Sequence, residues 1–322
     1  MVEYDLQMNV ESREGTLCKA AMVGVVGRTN AGKSTIVNRL VGEKVSIVSP
    51  VEQTTRNTIR GIVADARGQL VLLDTPGLHK AVGPLGKLLN GMARASSAGV
   101  DVLCVVFDAA HEPQLEDEGW MARVAKERPE KCVFALNKCD RAPFYETMFR
   151  DLWKDVSSRR ADNAAPLVPA WVKTCGTRPG GCDGLMDVLF SLAPEGPPLF
   201  PEDIVTDYPR KLAIADVVRE KLLQRLYDEV PHEIGVVTAD IREDRKRGWE
   251  AAVTIYVNRQ SQKGIVIGPD GRLLKAVRRA CEPELSDMFG VKVRLELWVK
   301  VEPGWMKNGR LLTEMGYMGA VQ

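Results

Sequence analysis

Gly27-Arg28-Thr29-Asn30-Ala31-Gly32-Lys33-Ser34 is the stretch that decides the fold of the first half of this chain. It follows an apolar run, Met22 to Val26, and opens a segment of helical period from Thr35 to Val41, so it sits at a strand-to-helix turn. G-x-x-x-x-G-K-[ST] at such a turn is a phosphate-binding pattern. Glycines let backbone N–H groups close around a β-phosphate, the lysine neutralises charge on β and γ oxygens, and the hydroxyl faces Mg2+. A merely tight turn needs neither lysine nor hydroxyl. Gly27, Arg28, Thr29, Asn30, Ala31, Gly32, Lys33, Ser34 and Thr35 are therefore read as nucleotide contacts, with Lys33 also catalytic and Ser34 a metal ligand. At this point ATP and GTP are both open.

Outward from the loop, Leu70 to Leu73, Val102 to Phe107, Val133 to Leu136 and Leu167 to Val172 read as buried strands alternating with amphipathic segments. That alternation predicts an α/β domain with a mostly parallel sheet wrapped by helices. Ile59 to Ala66, turning through Arg67-Gly68-Gln69 into Leu70 to Asp74, reads as an edge hairpin.

Two further motifs stand at predicted strand ends. Asp74-Thr75-Pro76-Gly77 follows Leu70 to Leu73, which places Asp74 where a carboxylate holds Mg2+ through water and the Gly77 N–H where it senses a γ-phosphate. Asn137-Lys138-Cys139-Asp140 follows Val133 to Leu136, and Asp140 accepts from both the ring N1–H and the exocyclic amine of guanine. Adenine would leave that carboxylate unpaired, so the nucleotide is guanine. After the last strand, Thr174 and Cys175 stand where a base-contacting loop is expected, although a plain loop fits equally well.

The polar run from Ser49 to Asn57 offers Thr54 and Thr55 as hydroxyls that sense Mg2+ and the γ-phosphate, with Thr55 favoured. Leu78 occupies a place where many GTPases carry a water-positioning glutamine, so slow intrinsic turnover is expected. The amide oxygen of Asn30 is suited to a K+ ion beside the phosphates, in place of an arginine finger; the alternative is a hydrogen bond within its own loop.

The proline-rich stretch Ala193 to Pro201 cannot continue a helix or a central strand and marks an interdomain linker. Beyond it the order is α-β-β-α-α-β: helix Tyr208 to Val230, strands Glu233 to Ile241 and Trp249 to Asn258, helices Gln262 to Ile267 and Arg272 to Met288, and strand Val291 to Val299. Gly268-Pro269-Asp270-Gly271 puts G-x-x-G between the last two helices, the K-homology arrangement in which a tight turn admits a nucleic-acid backbone. Between Arg259 and Arg279 six basic residues (Arg259, Lys263, Arg272, Lys275, Arg278, Arg279) face one acidic residue, Asp270. Lys263, Gly264, Ile265, Gly268, Pro269, Asp270, Gly271, Arg272 and Lys275 are the expected RNA contacts, Ile265 as a groove residue.

The domains so marked are an extension over 1–19, a GTP-binding domain over 20–192, a linker over 193–206, a smaller α+β KH domain over 207–303, of type II by the family resemblance given next, and a tail over 304–322. A length of 322 residues suits two domains. The formal charge of +1 makes any basic site local. Seven cysteines without C-x-x-C pairing suit reduced thiols, and no segment approaches the roughly 20 apolar residues that span a bilayer. A cytoplasmic protein is expected.

These residues resemble the Era family of bacterial GTPases. The likeness rests on Gly27 to Asn38, Gln53 to Arg56, Asp74 to Lys80, Asn137 to Asp140, Tyr208 to Leu223, Gly264 to Lys275 and Leu297 to Trp305. The resemblance implies a switch that binds the 3′ end of small-subunit ribosomal RNA through the KH domain, assists maturation of the 30S subunit and associates loosely with the inner membrane; a monomer is expected. Cys175 departs from the family's usual alanine. A tRNA-modifying GTPase related to TrmE is disfavoured because the chain ends Met315-Gly-Tyr-Met-Gly-Ala-Val-Gln322 without a catalytic cysteine. A nonenzymatic scaffold that keeps GTP structurally is the other alternative, prompted by Leu78.

Overall fold

The computed structural model describes residues 18–48, 57–75, 99–159, 167–201, 204–226, 230–244 and 246–317. Strands β1 (Cys18–Val26), β2 (Ile59–Asp65), β3 (Gly68–Asp74), β4 (Val102–Asp108), β5 (Cys132–Asn137) and β6 (Ala170–Lys173) form a sheet in the order β2-β3-β1-β4-β5-β6. Only the β2 edge in that row runs antiparallel to its neighbour. Every residue of β4 is buried, as expected of a central strand covered on both faces. Helices α1 (Lys33–Val41) and α4 (Asp183–Leu192) cover one face through Ile36, Val37, Leu185 and Leu189. Helices α2 (Leu115–Glu127) and α3 (Glu146–Ser158) cover the other through Trp120, Met121, Phe149 and Trp153. There Phe134 meets Phe107, Trp153 and Trp171 edge-on at 5.0–5.2 Å. The topology gathers the loops after β1, β3, β5 and β6 at the carboxyl ends of parallel strands.

The hairpin turns one residue earlier than the sequence suggested. Asp65 pairs with Gly68, so Ala66-Arg67 make the turn and Gly68 and Gln69 belong to β3. The reason is a close approach: Gly68 has φ +141°, and a Cβ there would lie 1.9 Å from the Lys19 carbonyl oxygen of β1.

The proline-rich linker is strapped to the sheet. Its residues Glu195–Gly196 (β7) pair with Cys18 and Lys19. The Gln69 amide accepts from the Leu199 and Phe200 N–H groups and donates to the Phe200 carbonyl, each at 2.8 Å. Further on, Ile62 N–H donates to the Val205 carbonyl at 2.8 Å and the Thr206 hydroxyl to the Arg60 carbonyl at 2.6 Å.

The second unit follows the expected order as α5 (Arg210–Leu223), β8 (Gly235–Asp244), β9 (Gly248–Val257), α6 (Gln260–Ile267), α7 (Arg272–Phe289) and β10 (Val293–Val301). Its sheet runs β10-β9-β8, with β9 parallel to β10 and antiparallel to β8. One face packs Val253 and Ile255 against Ile214, Val218 and Leu222 of α5 and Val277, Cys281 and Leu285 of α7.

Residues 304–317, within the expected tail, cover the other face. Strand alternation points Val237 away from the helices, and Trp305, Leu311, Leu312, Met315 and Tyr317 bury it. Trp305 donates its indole N–H to the Glu233 carbonyl at 3.0 Å, and the Asn308 side chain caps α8 (Gly309–Glu314) at Leu311 N–H. No helix among the described residues is long and apolar enough to cross a membrane.

Because Trp305 is wholly buried whereas Trp298 is 64% exposed, the two tryptophans should behave oppositely on truncation. Trp305→Ala is expected to cost about 3–5 kcal/mol and Trp298→Ala under about 0.5 kcal/mol, as read from urea unfolding midpoints.

Candidate functional site

The loop between β1 and α1 is built from backbone that only certain residues tolerate. Gly27 has φ +148° and lies so close to β4 that a Cβ would sit 2.3 Å from the Val106 carbonyl oxygen. Asn30 adopts φ +59°, and Gly32 at φ +96° opens α1. The first turn of α1 carries neither a side-chain cap nor an acidic residue, which leaves its N–H groups for an anion. The Lys33 ammonium curls back to donate to the Arg28 carbonyl at 2.8 Å. Burial pushes its pKa down to about 8, against the opposing pull of Asp74. A site that lowers the affinity of a lysine for its proton is restored by a phosphate charge beside it.

Asp74, at the end of β3, is fully buried, and neither of its carboxylate oxygens has a hydrogen-bond partner at full geometry. Burial raises its pKa, with the hydroxyls of Ser34 and Ser46 and the ammonium of Lys33 pulling the other way. A buried carboxylate beside a loop-end hydroxyl, with its oxygens unclaimed, fits a hard divalent cation such as Mg2+. Thr75, by contrast, has its hydroxyl committed to the Val25 carbonyl at 2.9 Å, which ties β3 to β1.

Asn137 ends β5 and joins three loops. Its amide nitrogen donates to the Ala31 carbonyl at 2.9 Å, and its oxygen accepts from the Thr174 hydroxyl at 3.2 Å and the Gly176 N–H at 3.3 Å. A Cβ on Gly32 would lie 2.2 Å from that amide nitrogen. Lys138, at φ +62°, spans the phosphate loop, donating to the Asn30 carbonyl at 2.9 Å and to Asp108 at 2.7 Å. Asp140 is exposed, and its carboxyl lies below the usual range because the Cys175 thiol hydrogen-bonds to it, with the Arg178 guanidinium 3.7 Å away. Thr174-Cys175, the motif least distinct in the sequence, thus stands beside Asp140. Cys139 N–H donates to the Thr174 carbonyl at 3.2 Å, and Cys175 N–H to the Gly181 carbonyl at 2.8 Å.

Three supports escaped the sequence reading. Arg28 turns away from the phosphate side to pair with Asp108 and Asp117, each at 3.2 Å, which makes its aliphatic and charged parts a brace for the loop. Arg39 of α1 donates to the carbonyls of Gly176 and Thr177 at 3.2 Å. Asn38 accepts from the Val45 and Ser46 N–H groups at 3.0 and 2.8 Å and donates to the Ser46 carbonyl at 2.7 Å. Asp108 alone had a visible signal, as a carboxylate ending an apolar strand.

In the second unit, Gly268 (φ +71°), Asp270 (φ +51°) and Gly271 (φ +70°) turn the chain between α6 and α7. A Cβ on Gly268 would sit 2.8 Å from Leu273 Cβ. Lys275 and Arg272 donate to the Asp270 and Pro269 carbonyls at 3.3 Å, while Arg259, Arg272, Lys275, Arg278 and Arg279 are all exposed. Gly264 and Ile265 are exposed on α6, Ile265 by 49%, with Lys263 half-buried beside them. An exposed isoleucine beside a left-handed turn and a basic helix suits a groove for unstacked bases. Thr54, Thr55, Pro76, Gly77 and Leu78 lie outside the described residues.

A family model described as 50S ribosome-binding GTPase matches residues 22–138, and a KH domain model matches residues 229–306. GTPase Era of Geobacter sp. (strain M21) is 37% identical over 300 residues, spanning 93% of this chain and 98% of the relative. GTPase Era of Ruminiclostridium cellulolyticum is 35% identical over 301 residues, spanning 93% and 97%. Among solved structures, an Aquifex aeolicus Era variant bound to GDP·AlF4− and Era in complex with MgGDPNP and nucleotides 1506–1542 of 16S ribosomal RNA each align with a TM-score of 0.82, at 31% identity, over 93% of this chain and 99% of the other.

Removal of the Asn137 amide strands partners in two other loops at once. Asn137→Ala is expected to cost about 1–3 kcal/mol of stability and to weaken GDP binding at least about tenfold, measured by urea unfolding and by calorimetry.

Proposed function

The chain belongs to the GTPase Era family, and from that membership we propose that its KH domain binds small-subunit ribosomal RNA near the 3′ end under the control of the bound guanine nucleotide, in the service of 30S assembly. The observation that carries this reading is the pairing, in one chain, of an assembled guanine-nucleotide site with a left-handed G-x-x-G turn set between α6 and the basic helix α7. The relative solved with a 16S ribosomal RNA fragment supports the choice of RNA. The domains are proposed as 20–192 and 207–317, with 193–206 as the strapped connection, because residues 304–317 share the second unit's packing.

GTP hydrolysis passes the γ-phosphoryl group to water, and the chain's contribution is positioning and charge. The N–H groups from Gly27 to Thr35 cradle the phosphates, and Lys33 bears on the β and γ oxygens. Ser34 and Asp74, with Thr55, would hold Mg2+, which when bound neutralises charge on those oxygens. Gly77 senses the γ-phosphate through its N–H. Asp140 reads guanine, Lys138 and the Thr174-Cys175 loop flank the base, and Asn137 fixes all three to one another. Lys263, Gly264, Ile265, Gly268, Pro269, Asp270, Gly271, Arg272 and Lys275 form the RNA surface. A monomeric, cytoplasmic protein with peripheral contact to the inner membrane completes the reading.

Labelled RNA from the 3′ end of small-subunit ribosomal RNA, titrated with protein in a nonhydrolysable GTP analogue or in GDP, tests the main claim. Tight binding that needs the analogue and is lost in Gly268→Asp, with GTP turnover retained, is expected; binding indifferent to both would refute it. For Asn30 as a K+ ligand, turnover in KCl is expected to exceed that in NaCl several-fold, and equal rates would leave Asn30 a loop-bonding residue only.

A further inference from the structure

Two interdomain contacts grip the residues on either side of segment 49–56, which itself lies outside the described residues. On the near side, the Lys44 ammonium reaches across to the second unit, bonding both Glu220 oxygens at 2.7 and 2.9 Å and Glu284 at 2.6 Å. Glu220 also accepts from the Val48 N–H at 3.1 Å, so one carboxylate of α5 holds both ends of 44–48. On the far side, the Asn57 amide donates to the Tyr208 hydroxyl at 2.8 Å and to the Met315 carbonyl at 3.0 Å, and Tyr208 in turn donates to Asp216 at 2.7 Å.

These contacts are built rather than incidental. Glu220 is only 2% exposed and Asn57 only 5%: Glu220 also accepts from Lys221 at 2.9 Å and Gln224 at 3.1 Å, so Lys44 joins a charge cluster already assembled in the second unit, whereas the Asn57 amide would carry a desolvation cost without its partners across the interface. Burial works against the charged form of Glu284, yet hydrogen bonds from Lys221 and Lys44 outweigh it and hold the carboxyl below its usual range. The same 44–48 segment is held from the nucleotide side by Asn38 of α1. Glu284 lies on α7, the helix that begins immediately after Gly271.

We propose that Glu220, Glu284 and Tyr208 are positioning residues supplied by the KH domain to the nucleotide site: they fix residues 44–48, which Asn38 of α1 holds from the other side, and Asn57 before β2, so that nucleotide state and RNA affinity are coupled through Lys44 and Asn57. The proposal rests on the guanine-nucleotide and RNA reading above and names its physical link. Coupling of this kind is reciprocal in binding, so RNA must shift the preference for GTP analogue over GDP by the factor by which the analogue shifts RNA affinity.

The test uses the full-length protein with Lys44→Met, Glu284→Gln, Tyr208→Phe and the double variant Lys44→Met/Glu284→Gln, plus Lys44→Arg as the conservative control. Glu284→Gln and Tyr208→Phe keep shape and packing, and unfolding midpoints identify any variant that fails to fold. Three quantities are read: kcat and KM for GTP, GDP affinity, and the ratio of RNA affinities in GTP analogue and in GDP. The expected result is a fall of about fivefold or more in kcat and in that ratio, with KM and GDP affinity changed by less than about twofold, a double variant no worse than the worse single, and recovery in Lys44→Arg. Folded variants that keep the wild-type kcat and ratio overturn the proposal while leaving the function intact. Absence of RNA binding or of nucleotide dependence in the wild type overturns the underlying reading and this proposal together.

Discussion

The nucleotide site depends on one buried carboxamide. Parallel strands deliver the loops after β1, β5 and β6 to the same edge of the sheet, but a shared edge does not set distances between loops. Asn137 sets them, because its nitrogen and oxygen are both used and both are buried. An unmet partner in that setting costs free energy comparable to a lost hydrogen bond, so the three loops either meet at Asn137 or are all strained. Lys138 and Arg28 extend the same logic outward: each is an aliphatic arm ending in a charge, and the two converge on Asp108 from the two loops.

Glycine at Gly32 follows from this arrangement as much as from phosphate chemistry. Its missing Cβ makes room for the Asn137 amide, and its left-handed backbone starts α1 without a side-chain cap. One residue type thus satisfies a packing need and a binding need at one position. Substitution there would break both, which is why a phosphate-binding loop can be read from a sequence with little ambiguity.

Legibility follows the range of the interactions involved. The phosphate loop, Asp74, Asn137 to Asp140 and the G-x-x-G turn were all plain, because each depends on neighbours in the chain and on the strand or helix it adjoins. The element order of the second unit was equally plain, from local periodicity. What escaped was long-range: Arg28 meeting Asp108 and Asp117, Arg39 bracing Gly176, and the residues after 303 finding Val237 on the far face of the sheet. The shift of the hairpin turn belongs here too, since only the proximity of Lys19 explains why Gly68 begins a strand. Thr174-Cys175 looked like any loop because its distinguishing feature is a neighbour, Asp140, that stands 34 positions earlier in the chain.

The strapping of the linker has a consequence for solubility. β2 is the terminal strand of the first sheet, and a bare edge with free N–H and C=O groups invites another chain to add a strand. Val205 and Thr206 occupy that edge by bonding Ile62 and Arg60, and Gln69 holds Leu199 and Phe200 beside it. The connection between the domains therefore also shields the first domain from self-association, and proteolytic nicking within it would expose an aggregation-prone edge while leaving the nucleotide site itself whole.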